Sequence, residues 1–277
     1  MTIAHVNYKV AIEAAGSPKI SWLVCAHHSN LKLKVALQSC LDQTFTDFEL
    51  IVVANGVSAS KVVASVAEWY GSDSRVKIFS TPICHLTFSL SLGVHFAKGE
   101  FIARMDADDI AYSTRLEKQY QFFINHPDST VLGSAFDLID ENGLVQKTIF
   151  PLTGDEQIRN ALIYKNPICH PTAMIRKQAL IEAGGYLGGL QAEDYDLWLR
   201  LSANPNNRFA NLKDVCIGYR ITGGEARGSR LSYSSQGSSQ FRHFLMGYGS
   251  KWLIASFITF IKIMRLSVSN FLGRQAK

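Results

Sequence analysis

The sequence predicts an α/β fold: a Rossmann-like, mostly parallel sheet flanked by helices, followed by an amphipathic helical tail. Three observations predict it. Short apolar runs alternate with stretches of helical periodicity through the first hundred residues, which is the order of a sheet covered on both faces. Hydrophobic residues make up 47% of the 277 and charged residues 18%, enough apolar material for one large core and too much for a disordered chain. No run reaches the roughly 18 consecutive apolar residues of a membrane-spanning helix, and the first twenty residues lack the continuous apolar centre of a secretory leader.

Residues 20–25 (ISWLVC) read as a buried strand, and 31–43 as a helix with Leu33, Leu37 and Leu41 on one face. Residues 48–53 (FELIVV) form a second strand, ended by Asn55-Gly56. Helix 60–70, strand 76–79, helix 87–97 with Gly99 as its C-terminal cap, and strand 101–105 follow in turn. A helix is expected over 114–125. Strands 130–139 and 144–150 flank a turn at Glu141-Asn142-Gly143. Helix 155–163, strand 170–175 and a helix over 177–183 ended by Gly184-Gly185 come next. A further helix opens at Ala192, with Leu197, Trp198 and Leu201 on its apolar face, and residues 209–212 and 215–221 are the last two strands.

In sheets of this kind ligands bind beyond the carboxyl ends of the strands. The strand ending at Met105 runs into Asp106-Ala107-Asp108-Asp109. Three carboxylates in four residues repel one another unless a cation neutralises them. Hard divalent ions such as Mg²⁺ or Mn²⁺ prefer oxygen ligands and bridge carboxylates to substrate phosphates. The alternative is that an aspartate caps the following helix, for which one would suffice. Likewise, Glu193 and Asp194 open a helix whose dipole stabilises negative charge, and capping alone is the plainer reading there.

These residues carry a resemblance. The run Leu50-Ile51-Val52-Val53, the tract from Lys98 through Met105 to Asp109, and Arg115-Leu116-Glu117-Lys118-Gln119 resemble glycosyltransferase family 2, in order and spacing. So do Asn166-Pro167-Ile168-Cys169-His170-Pro171 and Ala192-Glu193-Asp194-Tyr195-Asp196-Leu197-Trp198. The resemblance covers about residues 20–221 and implies a GT-A catalytic domain there, behind an extension at 1–19 and ahead of a lid and tail at 222–277. It implies an inverting, metal-dependent transfer of a sugar from a nucleotide-sugar donor, a UDP-sugar, to an acceptor hydroxyl. Asp108 and Asp106 would hold the ion, Asp108 directly, and the ion would act as a Lewis acid on the departing diphosphate. Asp194 would be the base that the acceptor hydroxyl needs, and Glu193 would orient it. Ala26, His28 and Asn55 would line the nucleoside pocket. His170 would contact acceptor or phosphate, or be a hydrogen-bonded core histidine. Arg104 would pair with phosphate or with an aspartate.

The chain departs from that pattern in three places. Val53-Ala54-Asn55-Gly56 stands where two acidic residues are usual, and Asn55 can still hydrogen-bond whereas Ala54 cannot. Cys25-Ala26-His27-His28 stands where Pro-Thr-Tyr-Asn is usual. Tyr219-Arg220-Ile221-Thr222 lacks the histidine of Tyr-Arg-x-His, so Thr222 or water would complete the ion's shell.

The charge is divided. The total is +5, yet the last acidic residue is Glu225, and eight basic residues follow it, leaving 20 basic against 23 acidic residues before them. Residues 222–239, rich in Gly and Ser, read as a flexible linker or as a lid whose Arg227 and Arg230 clamp the donor diphosphate. Residues 252–264 (WLIASFITFIKIM) wind into an apolar helix with Lys251, Lys262 and Arg265 on one side, too short to span a bilayer. An anionic membrane surface is the expected partner, with packing on protein as the alternative. Nucleic acid is not expected, because stacking aromatics are not interleaved with the basic residues. Five scattered cysteines without a CxxC pair suit reduced thiols. The resulting expectation is a cytoplasmic protein, peripheral on the inner face of the membrane, that builds surface polysaccharide on a lipid-linked saccharide. Transfer to a polyprenyl phosphate and non-catalytic sugar-nucleotide binding are the alternatives.

Overall fold

A computed structural model describes residues 16–221 and 228–275, with side chains through Ser267. Its first half is the expected alternation: β1 (Ile20–Ala26), α1 (Leu31–Leu41), β2 (Phe48–Asn55), α2 (Ala59–Tyr70), β3 (Val76–Thr81), α3 (Leu86–Phe96) and β4 (Phe101–Asp106). Next come β5 (Ile110–Ala111), α4 (Arg115–Asn125), β6 (Ser129–Ile139), β7 (Val145–Ile149), α5 (Asp155–Leu162), β8 (Met174–Arg176) and α6 (Lys177–Glu182). Helix α7 (Glu193–Ser202), β9 (Arg208–Arg220), α8 (Arg230–Leu245) and α9 (Lys251–Gln275) complete the chain.

All nine strands join one sheet in the order β3-β2-β1-β4-β8-β6-β9-β5, with β7 beside β6. The pairs among β1 to β4 are parallel, whereas β8 joins β4 and β6 antiparallel. Side chains alternate across the sheet, so β1 sends Trp22 and Val24 into one core, with Leu33, Leu37 and Phe123, and Leu23 into the other, with Leu90 and Trp198. The second core extends to Trp252 and Ala255 of α9. Every residue of β2 is buried, as its unbroken apolar run requires.

Four expectations need correction. Residues 170–172 are a 3₁₀ turn and not a strand: Pro171 has no N–H for a ladder, and Cys169 carbonyl accepts from Thr172 instead. Helix α3 is capped by Ala97, not by glycine. Gly99 is needed for contact, since a Cβ there would meet the backbone of Ser21 at 2.5 Å. The two strands expected over 209–221 are one, in which Lys213 and Asp214 bulge between Leu212, paired with Ser134, and Val215, paired with Ala135. Finally, the linker expected over 222–239 is helical from Arg230 onward, capped by the Ser229 hydroxyl accepting from Ser232 N–H at 3.0 Å. Thr222 and Arg227 lie outside the described residues.

Candidate active site

Strand β4 delivers the acidic tract to the carboxyl edge of the sheet, beside the ends of β1 and β2. Arg104, buried near its end, forms an ion pair with Asp106. Burial works against the Arg104 charge, but Asp106 and Glu193 outweigh it and hold the guanidinium charged. Asp108 is pushed above the ordinary carboxylate range by burial and by the charge of Asp106. Asp109 is pushed well above it by the same two causes. Asp109 is not a helix cap: it accepts from Arg220 N–H at 2.9 Å, while its other carboxylate oxygen is buried without a partner. The Arg220 guanidinium donates to the carbonyls of Asp108 (2.7 Å), Asp140 (2.7 Å) and Glu141 (2.8 Å), which fixes the acidic loop against the β6–β7 turn.

Two buried side chains brace this tract from behind. Arg115, lying 4.8 Å over the Trp22 ring, donates to Arg104 carbonyl at 2.7 Å, and Gln119 donates to Thr172 carbonyl at 2.8 Å. The Arg-x-x-x-Gln spacing thus joins β4 to the 170–172 turn by one face of α4.

That turn and the start of α7 supply a second acidic group. Ala192, in the left-handed region at φ 59°, bends the chain into the helix, a conformation costly for any residue with a Cβ. Asp194 accepts from Asn166 Nδ2 at 2.6 Å and from Tyr195 N–H at 2.8 Å. Burial, reinforced by the neighbouring Glu193, raises its pKa. His170 is buried, its Nδ1 3.5 Å from Glu193 and its Nε2 3.0 Å from Tyr186 hydroxyl. Burial, with Arg104 nearby, holds the imidazole down to about 3, so it is neutral at physiological pH and its contact with Glu193 is not an ion pair.

Two adjoining cavities result. The smaller, of about 470 Å³, is lined by His27, His28, Lys32, Asn55, Cys84 and Asp108. The larger, of about 750 Å³, has Arg104, Asn166, His170, Glu193 and Asp194 among its polar lining, with Phe150 and Leu190 among its apolar lining. Asp106 and Leu86 line both. One hollow therefore offers hydrogen-bonding and ring surfaces beside paired carboxylates, and the other offers a half-buried carboxylate of raised pKa, about as a two-substrate transfer would need.

Comparison with known proteins agrees with this layout. The Glycosyl transferase family 2 profile matches residues 21–185. The chain belongs to glycosyltransferase family 2. The Escherichia coli O-antigen biosynthesis glycosyltransferase WbnJ is 37% identical over 228 residues, 82% of this chain and 89% of that protein. The E. coli UDP-Gal:alpha-D-GlcNAc-diphosphoundecaprenol beta-1,3-galactosyltransferase is 26% identical and covers 93% of this chain and 94% of its own. Among solved structures, S. aureus TarS 1–349 in complex with UDP-GlcNAc superimposes with a TM-score of 0.62 at 21% identity. That match covers 80% of this chain and 66% of TarS 1–349, and it establishes the GT-A fold.

In this family 2 glycosyltransferase the expected site residues fall into three groups. His28, Asn55, Asp106 and Asp108 line the smaller cavity, and Arg104, Asp106, His170, Glu193 and Asp194 line the larger. Ala26 is buried at the end of β1, paired with Ala54, and its neighbours Cys25 and His27 face the smaller cavity in its place. Arg230 is exposed at the start of α8 and lines neither cavity, so the structure does not bring it to the acidic tract. Sequence reasoning missed Asn166, Lys32, Tyr186 and Arg220 as site residues. Asn166 and Arg220 had a signal, their places in the Asn-Pro-Ile-Cys-His-Pro and Tyr-Arg-Ile-Thr runs; Lys32 and Tyr186 had none.

The donor set beside Asp106 suits a divalent ion. Its groups are carboxylate oxygens whose pKa values are raised partly by one another, which a hard cation would relieve. Among the described residues no three His, Cys, Asp or Glu side chains gather closely enough to hold an ion unaided. The remaining ligands would come from donor phosphates and water, as is usual for Mg²⁺.

Proposed function

We propose that this glycosyltransferase transfers a sugar, with inversion, from a UDP-sugar in the smaller cavity to a hydroxyl of a lipid-linked saccharide in the larger one. It would work at the inner face of the membrane in surface-polysaccharide synthesis. The observation that carries this reading is Asp194: a carboxylate of raised pKa, held by Asn166 and Tyr195, lining a cavity that shares Asp106 with its neighbour. A base in that position serves a hydroxyl acceptor, whose proton must leave as the bond to the anomeric carbon forms. A phosphate acceptor would have no proton to give, so Asp194 favours a saccharide over a polyprenyl phosphate. With the base on the acceptor side, the hydroxyl displaces the diphosphate directly and the anomeric centre inverts.

Asp108 and Asp106 would hold Mn²⁺ or Mg²⁺, which supplies positive charge to the leaving diphosphate. Arg104, kept charged by Asp106 and Glu193, holds the Asp106 carboxylate in place. His170, neutral and hydrogen-bonded with Tyr186, lies 3.5 Å from the Glu193 carboxylate. The UDP donor is supported by the nucleotide named in the galactosyltransferase relative and in the TarS complex, and the lipid-linked acceptor by the diphosphoundecaprenol named in the former. None of the described helices is long and apolar enough to cross a bilayer.

The test is Asp194→Asn, which keeps the shape and the hydrogen bond to Tyr195 but cannot take a proton. Turnover should fall by about 10²–10⁴-fold, while the rise in melting temperature caused by UDP with Mn²⁺ persists. Unchanged turnover removes Asp194 as base. A panel of nucleoside diphosphates, with and without Mn²⁺, tests the donor in the same assay, and no response to UDP sinks that assignment.

A further inference from the structure

Helices α8 and α9 form an antiparallel hairpin with two unlike surfaces. Along their seam His243 lies 4.7 Å from Trp252, Ser256 donates to Gly237 carbonyl at 3.0 Å, and Lys262 sits 5.6 Å over the Tyr233 ring. The inner surface grips the elements that carry the acid pair. Ser229 donates to Gln191 at 2.6 Å, Gln240 to Ile163 carbonyl at 2.8 Å, and Arg242 pairs with the buried Asp196 on α7. Ser232, Tyr233 and Gln236 of α8 line the larger cavity itself. The hairpin is therefore a wall of the site.

The outer surface has no partner within the described residues. Trp252, Ala255, Ser256 and Thr259 are buried on one side of α9, and on the other Ile254, Phe257 and Met264 are each more than half exposed (56%, 64% and 57%). Leu245 and Met246, at the hairpin turn, are 67% and 61% exposed. A cluster of this size on a soluble face marks a contact surface. The hairpin's own charges have one sign: Lys251 and Arg265 are exposed beside the apolar side, and neither α8 nor α9 contains an acidic residue.

We propose that the outer face of the α8–α9 hairpin docks on an anionic lipid bilayer. Apolar side chains at its centre would enter the headgroup–acyl boundary, and the surrounding cations would meet anionic headgroups. Because the inner face of the same hairpin is a wall of the larger cavity, docking sets that cavity at the lipid surface, where a lipid-linked acceptor lies. This last step rests on the acceptor proposed above, and the docking itself does not.

The experiment is flotation of the full chain with vesicles of phosphatidylcholine alone or mixed with phosphatidylglycerol, without substrates. The chain should float with the mixed vesicles, and less so as salt is raised. The double variant Ile254→Glu/Phe257→Glu, at two exposed positions, should lower partitioning by about tenfold or more. Retention of the melting-temperature rise with UDP and Mn²⁺ shows that the variant is folded. Equal binding to neutral vesicles, no binding, or undiminished binding of the variant each overturns the proposal. So does a dimer in light scattering that the same substitutions dissociate, since a second copy would then cover the face. A chain that transfers sugar to soluble acceptors yet ignores vesicles loses this surface and keeps its proposed reaction. A chain that floats but transfers nothing does the reverse.

Discussion

Asn166 and Asp194 are 28 residues apart and share a 2.6 Å hydrogen bond. An amide N–H donated to a carboxylate favours the charged form, so Asn166 opposes the upward push that burial and Glu193 give Asp194. The base must be deprotonated to act. With Asp194 as the proposed base, activity should fall as pH drops through its raised pKa, and the acid limb of kcat/KM should lie above the ordinary carboxylate value. Asn166→Ala removes the donor and should move that limb to higher pH, with the plateau rate measured well above it less affected. A limb that stays in place would mean that Asp194 is not the group that titrates. Asp196, two residues on, differs in kind: it is buried between Arg200 and Arg242 and so belongs to the packing of α7.

At the scale of elements, the parallel strands and their helices follow from local pattern. The runs ISWLVC and FELIVV are too short for helices and too apolar for exposed strands, and both are interior strands, β1 between β2 and β4 and β2 between β3 and β1. Prediction failed where distant contacts decide. Serine and glycine are poor helix formers, yet α8 is helical because α9 packs along it, with Ser256 donating to Gly237 carbonyl, and because Gln240 and Ser229 hydrogen-bond to other elements. The acidic tract was legible because its three carboxylates are adjacent in sequence. Lys32 was not, since it reaches the site only through the sheet's topology; Asn166 and Arg220 stood in matched runs, but their partners, Asp194 and the acidic loop, are distant in sequence. Gly99 was seen, but its role was misread. Gly99→Ala would drive a methyl group against the backbone of Ser21 and Ile20, and should destabilise the fold by about 1–3 kcal/mol in denaturant unfolding. A cost near zero would show that β1 can move aside.

Over the whole molecule, one hairpin at the end of the chain completes the larger cavity, and one ion pair fastens it to α7. Arg242→Met removes that pair while leaving Asp196 with Arg200, so the protein should still fold. The loosened wall should raise KM for the acceptor several-fold and leave KM for the donor alone, because the smaller cavity has no residue from α8 in its lining. Equal changes in both constants would locate the effect elsewhere. The family profile ends at residue 185. Asp194 and the α8 wall of the larger cavity lie beyond that boundary.

The sharing of Asp106 and Leu86 by the two hollows has its own consequence. Their linings have in common one carboxylate and one leucine. With donor and acceptor placed as proposed, a water beside Asp106 would compete with the incoming hydroxyl. How much sugar the enzyme wastes to hydrolysis should then depend on how fully its second guest fills the room next door.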